Sequence, residues 1–66
     1  MILEDLSEFI CYDQRVCLYH HPFEQEYKNL YVRCHSDVLD LVSGYENYEV
    51  KAIYAEGDTL NIGIKE

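Results

Sequence analysis

The stretch Thr59-Leu60-Asn61-Ile62-Gly63-Ile64-Lys65 decides how the chain is read. Leu60, Ile62 and Ile64 recur at every second position, the period of a β-strand that buries one face. Just before it, Glu56-Gly57-Asp58 reads as a tight turn, and residues 48–55 read as the partner strand of a hairpin. Val50 and Ile53 in that partner have opposite parity. A β-bulge near Lys51-Ala52 would turn both inward.

Upstream the same grammar repeats. Gln14 to His20 alternates, with Val16, Leu18 and His20 on one face and Arg15, Cys17 and Tyr19 on the other. Tyr27 to Cys34 alternates again, with Leu30, Val32 and Cys34 opposite Asn29, Tyr31 and Arg33. The segment from His21 to Glu26, broken at Pro22, reads as the connection of a first antiparallel hairpin. A helix precedes each hairpin. Leu3, Leu6, Phe9 and Ile10 recur at helical spacing over residues 3–10. Ser36 reads as the N-cap of a helix over 37–43, with an apolar stripe of Val38, Leu39, Leu41 and Val42 and Gly44 as its left-handed stop.

A shift of 33 residues lays Leu6 on Leu39, Phe9 on Val42 and Tyr12 on Tyr45, and after one extra residue Val16 meets Val50. The chain therefore reads as one domain over 1–66, made of two αββ units at 3–34 and 36–65. The expected fold class is α+β: a four-stranded, mainly antiparallel sheet with two short helices on one face.

The chain has 66 residues, 13 acidic against 5 basic, a formal charge of −8 and a hydrophobic fraction of 48%. That is too apolar for an obligately disordered chain and, at this length, sets an expected radius of gyration of about 11 Å. No apolar run is long enough for a membrane span or the core of a signal peptide. So small a core is barely sufficient, which makes self-association an expectation. Three cysteines (Cys11, Cys17, Cys34) cannot all pair within one chain, and with no export signal they point to free thiols in a reducing cytoplasm.

The acidic balance narrows the partners. Phosphate backbones are bound through clustered Lys and Arg, and five scattered cations make no such cluster, so direct nucleic-acid binding is not expected. An anionic membrane would repel the chain. A basic protein is the favoured partner. Two helices on one side leave the other sheet face uncovered, and strand parity puts Arg15, Cys17, Tyr19, Asn29, Tyr31, Arg33 and, through the bulge, Tyr54 on it. Tyr and Arg are enriched at binding hot spots. The acids fall elsewhere: Glu4, Asp5, Glu8, Asp37 and Asp40 on the helices, and Glu46, Glu49, Glu56 and Asp58 around the second hairpin. The candidate binding residues are Arg15, Tyr19, Tyr31, Arg33, Tyr54, Glu46, Glu49 and Asp58.

Catalytic and metal chemistry find little foothold. Cys17-x2-His20 is the nearest match to a zinc pair, with Cys34-His35 on the neighbouring strand, but strand parity points Cys17 away from His20. There is no nucleophile elbow and no glycine-rich phosphate loop. Neither an enzyme nor a bound cofactor is expected.

Four stretches together resemble a loose group of very small acidic proteins encoded by phages and mobile elements of Gram-positive bacteria. They are Asp5-Leu6 opening an amphipathic helix, Asp13-Gln14-Arg15-Val16-Cys17-Leu18-Tyr19 as a strand, Ser36-Asp37-Val38 opening a second helix, and the closing hairpin. In that hairpin the resemblance rests on Tyr48-Glu49-Val50, Ile53-Tyr54-Ala55 and Asp58 to Lys65. It implies a context in which such proteins inhibit host defence nucleases by binding protein or occupying a nucleic-acid groove. On that basis the expected function is a non-enzymatic inhibitor of a basic host protein, an anti-CRISPR or other counter-defence protein acting as a nucleic-acid mimic in the host cytoplasm. Two other readings stay open: an oligomeric sponge that holds a nucleotide signal between Arg and Tyr side chains, and a purely structural or assembly module.

Overall fold

Alternating apolar residues demand a sheet with one buried face, and the computed structural model, which describes residues 1–23 and 25–66, supplies it. The elements run α1 (Leu3–Ser7), β1 (Gln14–His20), β2 (Gln25–Val32), α2 (His35–Val42), β3 (Glu49–Glu56) and β4 (Thr59–Lys65). They form an α+β fold with a four-stranded sheet in the order β2-β1-β4-β3. Each hairpin is antiparallel, and the two meet through a parallel pairing of β1 with β4. The sheet is thus mainly antiparallel, and the radius of gyration is 10.5 Å.

One core cluster joins Leu3 of α1 and Val38, Leu41 and Val42 of α2 to Val16, Leu18, Val32, Ile62 and Ile64 of the sheet. All of the sheet members have the parity that faces the helices. The route explains why α2 crosses the sheet: it carries the chain from β2 at one edge to β3 at the other, and β4 then turns back to lie beside β1. The repeat in the sequence is therefore not matched in position. The 33-residue shift lays β1 on β3, yet β1 is central and β3 is an edge strand.

The bulge expected near Lys51 is present. The β3–β4 register steps from Val50↔Ile64 to Ala52↔Gly63, leaving Lys51 unpaired and returning Ile53 to the helix side opposite Ile62. Val50 packs on the core, whereas Ile53 remains 48% exposed, because the helices do not extend over this part of the edge strand. A second bulge, between Leu18 and Tyr19 of the β1–β2 pair, shifts the register past Tyr27 and places both Tyr27 and Lys28 on the helix side.

Several boundaries differ from the sequence reading. α1 ends at Ser7 rather than residue 10, since Phe9 N–H donates to Leu6 O and Ile10 N–H to Ser7 O in a tightened last turn. The tightening turns Ile10 into the core and leaves Phe9 outside, 73% exposed. Ser36 is not the N-cap of α2. The helix begins at His35 after Cys34, and the Asp37 carboxylate instead accepts from the Arg33 N–H at 2.8 Å, closing the turn. Leu39 also departs from the expected stripe and is 54% exposed, because an eight-residue helix buries only the side that carries Val38, Leu41 and Val42. Gly44 stops α2 at φ +88°, as the left-handed position requires. β2 starts and ends two residues earlier than read, so Cys34 belongs to the helix entry and not to a strand. The turn between β1 and β2 holds a cis His21-Pro22 peptide, and Glu24, part of the expected connection, lies outside the described residues.

Candidate functional site

The uncovered sheet face can be laid out from the strand registers as three rows running from β2 to β3. They are Tyr31–Arg15–Thr59–Glu56, then Asn29–Cys17–Asn61–Tyr54, then Glu26–Tyr19–Gly63–Ala52. The face is polar and carries Arg15, Cys17, Tyr19, Asn29, Tyr31 and Tyr54 of the parity set expected from the sequence, whereas Arg33 lies just beyond the end of β2.

Arg15 and Arg33 converge on Tyr31. Their guanidinium carbons lie 5.9 and 5.5 Å from the centre of its ring, close enough for a cation–π attraction at both. Cross-strand pairing sets Arg15 beside Tyr31, and Arg33, one residue beyond β2, reaches the same ring. Arg15 also donates to the Asn29 side-chain oxygen at 2.8 Å. Neither arginine forms an ion pair among the described residues.

Tyr19 lies on this face but is not presented by it. Its ring folds over Gly63, its direct partner on β4, and meets Tyr54 edge-on at 6.1 Å. Only 6% of Tyr19 is exposed. Cys17 sits in a polar depression with Glu26, Asn29, Glu56, Thr59 and Asn61. Burial first, then the Glu26 carboxylate with its 3.7 Å hydrogen bond, push the Cys17 thiol above its ordinary 9.0. A thiol held protonated in this way is a poor nucleophile at neutral pH.

The acids of the second hairpin do not form one patch. Glu49 opens β3 and pairs with Lys51 at 3.2 Å, while Asp58 lies beyond the other end of that strand. There the Asp58 carbonyl accepts from the Gln14 amide at 2.7 Å. Glu46 turns its carboxylate onto the Gly44 N–H at 2.9 Å, closing the turn after α2. The acids of the helix layer are freer: Glu4, Asp5, Glu8 and Asp40 are exposed, and the one ion pair among the described residues is Glu49–Lys51.

Sequence reasoning missed an aromatic cluster on the helix side. Tyr27 stacks on Tyr45 at 4.9 Å, Tyr48 meets Tyr45 edge-on at 5.0 Å, and the Tyr27 hydroxyl is 2.8 Å from His20 Nδ1. His20 in turn stacks on Phe23 at 5.7 Å. Desolvation, and next the Glu66 carboxylate, raise the Tyr48 hydroxyl above its ordinary 10.0. The spacing of Tyr45 and Tyr48 after a helix stop is a signal for such a cluster. The bulge that delivers Tyr27 has none.

Among the described residues no group of three or more His, Cys, Asp or Glu is placed to hold a metal ion, and no helix is long and apolar enough to cross a membrane. What fold and surface define at this point is a class: an α+β protein with an acidic helix layer and a polar, arginine-bearing sheet face. No protein-family model, curated protein or solved structure matches the chain.

Proposed function

We propose that this chain is a non-enzymatic binding protein whose acidic helix layer engages a basic protein. The observation that supports this is the separation of charge. Glu4, Asp5 and Asp40 on the helices and Glu8 at the end of α1 stand exposed without a cation partner among the described residues, while the Arg15 and Arg33 guanidinium groups both lie against Tyr31 of the opposite sheet face. Lys28, which reaches α2 from β2, is committed to backbone carbonyls. Unneutralised carboxylates in a chain of net charge −8 steer a basic surface into encounter and disfavour acidic ones. In its concrete form the partner is a nucleic-acid-binding host protein, and the chain is a phage counter-defence or anti-CRISPR inhibitor acting in the host cytoplasm. Purified CRISPR effector nucleases provide the test. Pre-incubation with the protein is expected to suppress DNA cleavage, less so as salt rises, and the triple variant E4K/D5K/E8K is expected to restore cleavage. Suppression that ignores both salt and charge reversal, or no suppression by the parent protein across the panel, would overturn the reading.

The Arg15–Tyr31–Arg33 group favours a second reading, a site for a nucleotide. Two guanidinium groups, each against the Tyr31 ring and neither paired with a carboxylate among the described residues, are donors for a phosphate. If this reading holds, nucleotide retained by the purified protein in native mass spectrometry disappears on Arg33→Ala; retention unchanged by that substitution removes the site.

A further inference from the structure

Two residues that periodicity assigns to the core, Phe9 and Leu39, are instead exposed, and each is next in the chain to a residue that lines one depression in the helix layer. This depression is an open groove of about 590 Å³ between the end of α1 and α2. Ile10 and Val38 line it, with Tyr12, Cys11, His35 and Glu8 around them. Phe9 lies between two lining residues in the chain. Leu39 follows Val38 and stands one helical turn after His35, the two residues of α2 that line the groove. Tyr12, itself a lining residue, is 51% exposed. An apolar recess with Tyr12 exposed in its lining, and with exposed Phe9 and Leu39 adjoining the lining residues in the chain, offers apolar surface to a partner.

Charge selects the occupant. Glu8 lies on the rim, with Glu4 and Asp5 one turn earlier on α1 and Asp40 on α2, all exposed. A second copy of this chain would bring another net charge of −8 against these acids and is disfavoured.

We propose that this groove receives an amphipathic helical segment of the basic partner. Its apolar side chains, one helical turn apart, enter between α1 and α2, and its Lys and Arg residues meet Glu8 at the groove and the exposed acids of the two helices. The proposal rests on the reading that the helix layer binds a basic protein, and it adds that apolar anchoring, not charge alone, gives affinity there.

Two synthetic helical peptides of about 16 residues separate the ideas. One carries Leu and Phe at i, i+3, i+4 and i+7 among lysines, and the other has the same charge with Ala at those positions. The apolar peptide is expected to bind at least about tenfold tighter. It should shift the backbone amide resonances of residues 8–12 and 35–39, and the double variant F9S/L39S should remove most of the difference without unfolding the protein, since both residues are already exposed. Equal binding of the two peptides overturns the groove proposal and leaves the charge reading intact. Resonance shifts confined to the Arg15–Tyr31 face also overturn it. Failure of both peptides to bind overturns both readings of the helix layer.

Discussion

Tyr19 and Gly63 face each other across the central parallel pair, and they show how one small residue shapes a surface. A Cβ added at Gly63 would lie 2.6 Å from the Tyr19 ring and hydroxyl, closer than any contact can be. The ring occupies the space that a side chain on β4 would fill, and so covers a strand position that is otherwise bare backbone. Gly63→Ala should force the ring outward and destabilise the protein by about 1–3 kcal/mol. In urea unfolding the midpoint should fall, and the same substitution in a Tyr19→Leu background should cost less, since the clashing atoms are gone. Equal costs in the two backgrounds would show that the two residues are not coupled. Sequence parity set Tyr19 on the open face correctly. It could not show that the tyrosine lies flat over its neighbour, because that depends on which strand of the second hairpin adjoins β1.

At the level of elements, α2 illustrates support supplied from elsewhere in the chain. It has no basic residue in its last turn, where a cation would complement the helix dipole. Lys28 of β2 fills that role from across the bulge: its Nζ donates to Ser43 O at 2.8 Å and to Asp40 O, and sits 5.5 Å from the centre of the Tyr45 ring. Lys28→Met keeps most of the aliphatic stem and removes the donor. It should cost about 1 kcal/mol, read as a lower thermal midpoint with the end of α2 losing amide protection first. Unchanged exchange at residues 39–43 would count against this capping role. The six elements were legible because their signals are local: alternation in β1 and β4, a parity fault for the bulge in β3, and Gly44 for the end of α2. The N-terminus of α2 and the bulge at Tyr27 were not. In both, the deciding hydrogen bonds compete with an equally reasonable local alternative, Ser36 as a cap or an unbroken ladder.

For the whole molecule, the acidic helix layer was legible as composition and spacing, whereas the groove within it was not. Periodicity assigns Phe9 and Leu39 to the core because it assumes complete helices over a complete sheet. A five-residue α1 and an eight-residue α2 bury less than that, and the remainder becomes surface. Similarly, the hairpin acids looked like one patch because they are close in sequence, but an extended β3 holds Glu49 and Asp58 apart.

The parallel pairing of β1 with β4 also governs how the chain comes to be folded. Partners across it stand 44 positions apart, as the contact from Gln14 to Asp58 does. Vectorial synthesis therefore produces both helices and the first hairpin before the strand that completes the centre of the sheet. Until that strand arrives, β1 has an open edge, and Val16 and Leu18 lack the Leu60 and Ile62 neighbours that flank them in the finished fold. The nascent chain thus carries an open, aggregation-prone edge until β4 emerges, and changes that slow the closing of β3 and β4 would lower cellular yield more than equilibrium stability alone foretells.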